Sequence, residues 1–361
     1  MDHRAILPMT LAELGPEPPP AALRLRVDRE ALADNWRALD RLSGSASTGA
    51  AVKADAYGLG AREAVPILAR AGCRDFFVAH WSEVAPLLDL VPSASISVLH
   101  GPLNEGDVAY CRATGVKPVL NSLAQIARWQ RGGGGLCDLM VDSGINRLGL
   151  EMAQLGEVAR AGLDIDICMS HLASADEDVA QNAQQRARFA TIRGAVRARR
   201  YSLANSAGIA LGAEYHADLT RPGLALYGGI PRPELAGVIR QVAFPKAAVL
   251  QVRELQAGDG VGYNATFVAP RAMRVGVVAL GYADGYLRCW SGKGRFRWQG
   301  IELASLGRVS MDMTVIDLSD APGCHEGDWI EVVYDPVFAS AATGLSQYEI
   351  FTLLGKRFAR G

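Results

Sequence analysis

Long apolar runs, paired cysteines and an excess of either charge are all missing from this sequence of 361 residues. No apolar run reaches the length of about 18 residues that a membrane helix needs, so we expect no membrane span. The 37 basic and 38 acidic residues nearly cancel, which gives no basic surface for nucleic acid. Six scattered cysteines without a CxxC pair indicate a reduced protein rather than a disulfide scaffold. The first 20 residues lack the features of a signal peptide, so we expect a cytoplasmic location.

The composition and length predict a folded chain of about two domains. Hydrophobic residues make up 49% and charged residues 21%, which is enough apolar surface for a large core. The segment PEPPP at 16–20 breaks regular structure and predicts an N-terminal arm over residues 1–22. We expect a barrel over residues 23–243 and a β-rich domain over residues 244–361. The N-terminal arm can pack against the β-rich domain.

Eight short apolar runs alternate with amphipathic helical stretches in the first two thirds of the chain. This alternation predicts a parallel sheet, and eight strands is the number that closes a (β/α)₈ barrel. An open doubly wound sheet of similar content is the alternative, but no GxGxxG motif opens a helix here. The runs are GAAVKAD at 49, DFFVAH at 75, SISVLH at 95, GVKPVL at 115, LCDLMVD at 136, IDICMSHLA at 165, YSLANS at 201 and GLALYG at 223. After about 245 the pattern becomes β-rich with Gly-Asp, Asp-Gly and Pro-Gly turns, which predicts a mainly antiparallel domain.

Lysine is scarce, with 5 in the chain, and one of them occupies a special position. Lys53 ends the first predicted strand, at the C-terminal face where a barrel gathers its functional side chains. A lysine there can form a Schiff base with a carbonyl substrate or with pyridoxal phosphate, which arginine cannot do. The alternative is an ordinary surface lysine on a loop.

Other polar residues follow later strands at the same face. Each one alone has a plain structural explanation, such as a buried core histidine or a surface ion pair, but together they favour an active site. Small residues at 206–208 and 223 leave their backbone N–H groups accessible to an anion. In barrels, such N–H groups near strands seven and eight often bind phosphate. The residues are Asp142, Ser143 and Arg147 after strand five, His171 and Ser174 after strand six, Asn205 and Ser206 after strand seven, and Arg221 at the start of strand eight.

Nine motifs in order and spacing resemble the alanine racemases, which are fold-type III pyridoxal-phosphate enzymes. They span about residues 25 to 358, nearly the whole chain, and such an ordered set is highly specific. The motifs are AVKADAYGLG around Lys53, DSGINRLGL at 142, SHLASADE at 170, ANSAG at 204, RPGLALYGG at 221, GYNATF at 262, GYADGY at 281, GRVSMDMTVIDL at 307 and SQYEI at 346.

The resemblance implies a role for each matching residue. Lys53 resembles the lysine that holds pyridoxal 5'-phosphate covalently and serves as one catalytic base, and Tyr263 resembles the opposite base. Arg221 is similar to the residue facing the pyridine nitrogen, and His171 to the residue that hydrogen-bonds that arginine. The phosphate cradle is implied at Tyr57, Ser206, Gly223, Leu224 and Tyr348. The substrate-binding set is implied at Arg147, Met311, Asp312 and Tyr282.

One position departs from the family pattern. Many members carry a carbamylated lysine seven residues before the arginine of the DSG segment, and here that residue is Met140. Arg147 then needs another source of orientation, and a bound anion, a water or a side chain all stay open. We expect no carbamate and find no confident set of metal ligands.

The resemblance implies a homodimer with shared active sites that interconverts L- and D-alanine to supply D-alanine for peptidoglycan. The alternatives are a racemase of another or broader range, such as serine, and a non-catalytic protein that binds the cofactor. An aldolase or dehydratase of the same fold type would need a metal site. A decarboxylase would want an acidic residue where Arg221 stands.

Overall fold

The computed structural model describes residues 20–360. Residues 1–19, which make up most of the predicted arm, lie outside this range. Within the described part of the chain, no helix combines the length and the apolar character that crossing a bilayer requires.

The first two thirds of the chain form the predicted barrel of parallel strands. Strands β3 to β9 pair in parallel and in chain order. The eighth position is taken by β10, which pairs with β2 just before β3, and Gly49 between β2 and β3 donates its N–H to Thr220 O at 2.9 Å. The strands of this part of the chain, all but the first of them in the barrel, are β1 Leu23–Val27, β2 Ser47–Thr48, β3 Ala50–Ala51, β4 Phe76–Val78, β5 Ile96–Val98, β6 Lys117–Leu120, β7 Leu136–Met140, β8 Asp164–Met169, β9 Arg200–Ser202 and β10 Leu219–Thr220.

The eighth strand lies earlier in the chain than the sequence predicted. The segment GLALYG was expected to be this strand, but Leu224–Tyr227 forms a 3₁₀ turn and β10 precedes it. Pro222 has no N–H for a strand ladder, and the N–H of Gly223 donates to a side chain instead. Periodicity could not distinguish the two structures, because every side chain of the turn is buried. Arg221 therefore follows strand eight rather than beginning it.

Helices lie between the barrel strands, and two more precede the last strand of the chain. Asp28 caps the first of them by accepting the N–H of Ala31 at 2.9 Å, and that helix buries one apolar face on the barrel. The helical segments are α1 Arg29–Ser43, α2 Lys53–Tyr57, which turns left-handed, α3 Ala61–Ala71, α4 Glu105–Thr114, α5 Leu123–Arg131, α6 Leu155–Arg160, α7 Ala180–Ala195, α8 Ser206–Leu211, α9 Pro336–Thr343 and α10 Gln347–Thr352.

The last third of the chain is β-rich, as predicted. Its long strand β11 pairs with β18 through its first half and with β14 through its second half, so the antiparallel sheet returns on itself. The register shifts between Val249 and Gln251, where the strand passes from one partner to the other. The strands are β11 Ala243–Leu255, β12 Gly260–Val261, β13 Phe267–Val268, β14 Met273–Val278, β15 Arg295–Trp298, β16 Ile301–Leu306, β17 Thr314–Asp317, β18 Trp329–Val332 and β19 Ala359–Arg360.

The first strand of the described chain belongs to this second sheet. Leu23–Val27 pairs antiparallel with β11, from Leu23 opposite Ala247 to Val27 opposite Ala243. The range expected for the barrel began at residue 23 and so included this strand. Its alternating pattern of buried and exposed residues fits a half-buried strand in either sheet, and only the tertiary pairing decides between them.

A network of buried charges lies at the end of the barrel where the strands begin. Lys117 contacts Asp166 at 2.5 Å and Asp138 at 3.7 Å, and Arg200 bridges Asp75 and Asp166 at 2.8 Å each. Three carboxylates thus share two cations. Burial raises the pKa of Asp138 to about 6, although Lys117 opposes the shift.

We predict that Asp138→Asn gains stability relative to the parent protein as the pH rises from 4 to 7. The pKa of this carboxyl is higher in the folded chain than the usual value near 3.9, so the folded protein holds the proton longer and loses stability as it ionises. The relative gain should reach about 3 kcal/mol in the free energy of unfolding, measured by denaturant titration at each pH. Asp164→Asn, at an exposed ion pair, is the control. A relative loss on raising the pH would contradict the assignment.

Candidate active site

Lys53 stands where the first barrel strand ends, directly before an unusual turn of the backbone. Residues 54–57 all have positive φ, between 53° and 57°, although none of them is glycine. A left-handed conformation costs an L-residue roughly 1–2 kcal/mol, so this turn persists only where its surroundings hold it. The direction of the Lys53 side chain is therefore tied to the contacts of the following turn.

Hydrogen bonds at both ends hold the turn in place. Ala56 donates its N–H to the carbonyl before the lysine, Val52 O, at 2.9 Å. Asp55 accepts the N–H of Ala61 at 2.7 Å and so attaches the turn to the start of α3. At Gly58 the turn meets α10, because a Cβ on that glycine would lie 2.6 Å from Phe351 O. The C-terminal segment of the chain thus supports the turn that carries Lys53.

The charges around Lys53 favour its neutral amine. Burial lowers the pKa of Lys53 below its usual value of 10.5, Arg147 lowers it further, Glu83 raises it and Arg221 lowers it. Burial and the same two guanidinium groups lower the pKa of His171 to about 3, so this imidazole is neutral at pH 7. The mouth of the barrel therefore combines a deprotonatable amine with two fixed positive charges.

Arg221 is buried and held by two oxygen atoms of neighbouring strands. One guanidinium nitrogen donates to Ser202 Oγ, and the other donates to Ser170 O at 2.5 Å. The resemblance implied a hydrogen bond from His171 to this arginine, but in the described chain its donors point to the two serines instead. Burial lowers the pKa of Arg221 to about 10, which still leaves it protonated at neutral pH.

The predicted phosphate cradle is assembled from three segments. Ser206 Oγ accepts the N–H groups of Gly223 at 3.0 Å and Ala225 at 3.1 Å, next to Leu224. A Cβ on Gly223 would clash with the hydroxyl group of Tyr57, so only glycine leaves room for that phenol. These contacts bring two hydroxyl groups and two backbone N–H groups together beside small residues, which is a composition that suits a phosphate.

Three aromatic rings connect this cradle to the C-terminal part. Tyr57 stacks on Tyr227 with ring centroids 4.8 Å apart and lies 6.3 Å from the ring of Tyr348 in α10. Burial raises the pKa of Tyr57 and that of Tyr348, so both phenols stay protonated and can donate hydrogen bonds. Tyr348 thus lies next to Tyr57 at the barrel mouth of the same chain.

The loop that carries the exposed Arg147 is held by its own hydrogen bonds, and position 140 offers this arginine no charged group. Met140 is 8% exposed and packs in an apolar cluster inside the barrel. Asp142 Oδ1 accepts the N–H groups of Gly144 at 2.6 Å and Ile145 at 2.9 Å, which fixes the loop that leads to Arg147. A carbamate has no place at a methionine.

The other predicted residues lie in the β-rich part. Tyr282 donates its N–H to Ser310 O at 3.0 Å, which places it beside Met311. Asp312 is paired with Arg357 at 2.7 Å. Tyr263 is 62% exposed and Met311 53% exposed, and in the described chain no hydrogen bond or aromatic contact joins Tyr263 to the barrel residues. The chain therefore carries two groups of predicted site residues, one at the barrel mouth and one on an exposed face of the β-rich part.

Three further residues at the barrel mouth are not predicted by any pattern in the sequence. Ser170 and Ser202 hold Arg221, and Glu83 accepts the N–H of Ala54 at 2.5 Å. No pattern in the sequence could have found them, because each acts on a segment at least 19 positions away. Over residues 20–360, the structure brings no three histidine, cysteine or acidic side chains into an arrangement that could hold a metal ion.

The fold and the site together define the class of protein. It is a barrel enzyme with an appended β-rich part, in which a lysine at the mouth of the barrel has its pKa lowered by two arginines. The family follows from comparison with known proteins.

Two family models match the chain, "Alanine racemase, N-terminal domain" over residues 27–231 and "Alanine racemase, C-terminal domain" over residues 242–361. The curated alanine racemase of Acidiphilium cryptum is 42% identical and the match covers 93% of this chain and 97% of the relative. The biosynthetic alanine racemase of Agrobacterium fabrum is 41% identical, with coverage of 94% and 93%. A solved alanine racemase from Bartonella henselae, with covalently bound pyridoxal phosphate, superposes with a TM-score of 0.87 at 33% identity, covering 95% of this chain and 99% of that one. The chain belongs to the alanine racemase family.

We predict that Gly223→Ala destabilises the protein by about 1–3 kcal/mol, because the added methyl group must displace the buried Tyr57 phenol. Gly194→Ala is the matched control: the space around this α7 glycine is open, so alanine should stabilise the helix by about 0.5 kcal/mol. Denaturant unfolding followed by circular dichroism measures both variants. Equal stability of Gly223→Ala and the parent protein would show that the Tyr57 hydroxyl does not pack against Gly223.

Proposed function

We propose that this protein is a pyridoxal-phosphate-dependent racemase that interconverts L-alanine and D-alanine. The observation that carries the proposal is the Lys53 amine, whose pKa is lowered by burial and by two arginines at the mouth of the barrel. Membership of the alanine racemase family over nearly the whole chain supports the choice of reaction and of alanine.

The residues of the barrel mouth fit the cofactor. Lys53 would hold it covalently, and Ser206, Gly223 and Leu224 with the phenols of Tyr57 and Tyr348 would hold its phosphate. The observation behind this fit is the cluster that the Ser206 hydroxyl forms with the N–H groups of Gly223 and Ala225, beside a Tyr57 hydroxyl so close that a Cβ on Gly223 would clash with it. When bound, pyridoxal phosphate supplies an electron sink that stabilises negative charge at the substrate Cα atom.

Lys53 can serve as the base on one face of the substrate. Its lowered pKa raises the fraction of neutral amine near pH 7, and a neutral amine accepts a proton from Cα. Racemisation also needs a group that returns a proton from the opposite face, and Tyr263 is our choice for it. Arg147 and the backbone of Met311 would bind the substrate carboxylate, with Asp312 and Tyr282 beside them.

Arg221 would keep its proton next to the cofactor ring nitrogen. A guanidinium has five donors and no acceptor, and the bonds to Ser202 and Ser170 fix its plane. His171 stays neutral nearby, so it adds no further charge. An arginine at this place limits side reactions such as transamination, which a carboxylate there would promote.

The active form is a homodimer with shared sites. Tyr263 and Met311 are large hydrophobic residues that are more than half exposed in one chain, and a second copy of the chain would bury them. In this arrangement the Tyr263 of one copy faces the Lys53 of the other, so each site needs both chains.

We propose that the chain is divided into three parts. These are an arm at 1–22, a barrel at 23–243 and a β-rich domain at 244–361. The family matches over 27–231 and 242–361 support a boundary near residue 240. The pairing of Leu23–Val27 with β11 argues for assigning that strand to the second domain.

We further propose a cytoplasmic enzyme that supplies D-alanine for peptidoglycan. All six cysteines are free, which is consistent with a reducing compartment. The relative from Agrobacterium fabrum is named a biosynthetic alanine racemase. This name supports a role in making D-alanine.

The purified protein with added cofactor should exchange the Cα proton of both alanine enantiomers in heavy water and racemise either one, and Lys53→Ala should reduce the rate by at least about 1,000-fold. A chiral assay over a panel of amino acids measures substrate range, and a higher rate on serine than on alanine would assign a broader or different racemase. Lys246→Ala, at an exposed ion pair with Glu331, is the control and should keep the parent rate. Absence of exchange with every amino acid would refute the proposed reaction.

Mixing the inactive variants Lys53→Ala and Tyr263→Phe should restore about a quarter of the parent activity, because half of the dimers are mixed and each has one intact site. Subunit exchange is verified by native mass spectrometry before the assay. No recovery after verified exchange would mean that the two residues do not meet across the dimer.

A further inference from the structure

The carboxylate of Glu83 connects two separate segments of the barrel mouth. Glu83 ends a 3₁₀ turn, Trp81–Glu83, that follows β4. Its Oε1 accepts the N–H of Ala54 at 2.5 Å, and its Oε2 accepts the N–H groups of Ala79 at 2.7 Å and His80 at 3.0 Å. Three backbone donors from two neighbouring strand ends thus converge on one side chain.

We propose that Glu83 is a positioning residue, which orients the Lys53 amine through the turn at Ala54 and places a negative charge opposite the two arginines of the barrel mouth. This proposal rests on the proposed role of Lys53 as a base. Glu83 itself is not assigned any contact with the substrate or the cofactor.

A capping role alone does not explain the geometry. The bonds of Oε2 to Ala79 and His80 are local and close the 3₁₀ turn, as an acidic residue at this position commonly does. The bond of Oε1 goes instead to a residue 29 positions earlier, the first residue of the left-handed turn. A carboxylate that accepts charge-assisted bonds on both oxygens holds these two segments at a fixed distance.

The strained turn is the reason that such a tether matters. Ala54 adopts φ 54°, and the following three residues also stay left-handed, so the turn would relax if its first N–H lost its partner. Relaxation would change the direction in which the adjacent Lys53 leaves the strand. A displacement of about 1 Å at a reacting group can cost about 100-fold in rate.

The charge of Glu83 acts on the same amine. The carboxylate raises the pKa of Lys53, in opposition to burial, Arg147 and Arg221. Removing this charge should therefore make the amine more acidic. The other titratable groups facing the site are His171 after β8, whose imidazole is neutral, and His80 and His100, whose rings lie 4.2 Å apart beside Glu83.

The test compares Glu83→Gln with Glu83→Asp in the cofactor-free protein. The pH dependence of the reaction of Lys53 with trinitrobenzenesulfonate is followed by peptide mass spectrometry, which separates the five lysines. We expect Glu83→Gln to raise the acid dissociation constant of the Lys53 amine roughly tenfold, because the opposing charge is gone. Glu83→Asp keeps the charge and should leave this constant within about threefold of the parent value.

The holoenzyme supplies the second measurement. In both variants kcat should fall at least roughly tenfold while KM changes much less, because the shorter or uncharged side chain no longer holds Ala54 and the amine is misdirected. Glu326→Gln is the matched control: its carboxylate also accepts a distant backbone N–H, that of Val252 at 3.0 Å, but in the β-rich part. This control should keep the parent values of both constants.

Each outcome decides the proposal. Parent-like titration and parent-like kcat in Glu83→Gln would overturn it, and so would a tenfold shift in Glu83→Asp, which retains the charge. If circular dichroism shows that Glu83→Gln is unfolded, Glu83→Asp alone decides. A parent-like titration of Lys53 with a reduced kcat then supports the proposal, and a parent-like kcat overturns it. A parent protein that titrates as expected but racemises no amino acid would refute the proposed function without refuting the effect of Glu83 on Lys53.

Discussion

The backbone turn after Lys53 is the constraint on which the rest of the site depends. Four consecutive residues without a glycine run left-handed there, at a combined cost of roughly 4–8 kcal/mol that only surrounding contacts can offset. Those contacts come from Val52, from Asp55, from Glu83 and from the carbonyl of Phe351 next to Gly58. The barrel and the C-terminal helix therefore cooperate in aiming one amine, and Tyr57 at the end of the same turn is aimed with it.

The two ends of the barrel handle charge in opposite ways. At the mouth, the two guanidinium groups of Arg147 and Arg221 outnumber the one carboxylate of Glu83, and this excess of positive charge suits an anion. At the other end, the buried network around Asp138 and Lys117 has one carboxylate more than cations and packs under the apolar layer of the barrel. An ionised network of this kind costs more than apolar packing, but removing one partner leaves a buried charge without compensation, so its members depend on one another.

The β-rich part supplies what a barrel alone lacks. A barrel presents side chains from one side of a bound ligand, whereas racemisation needs groups on both faces. Tyr263 and Met311 stand exposed on the β-rich part, and Tyr348 reaches the barrel from α10. The same appended part thus brings Tyr348 to the barrel of its own chain and leaves Tyr263 and Met311 exposed.

The sequence by itself determined the alternation of strands and helices, the change to a β-rich part near residue 245, and the place of Lys53 at a strand end. These features depend on local periodicity, which records the side of each segment that is buried. The tertiary structure decided three other features. These are the sheet to which Leu23–Val27 belongs, the position of strand eight before Arg221, and the contact of Glu83 with Ala54. In each of them the two partners are separated by between 29 and more than 200 positions in the sequence. The pattern of one segment carries no information about which distant backbone group will meet it once the barrel closes.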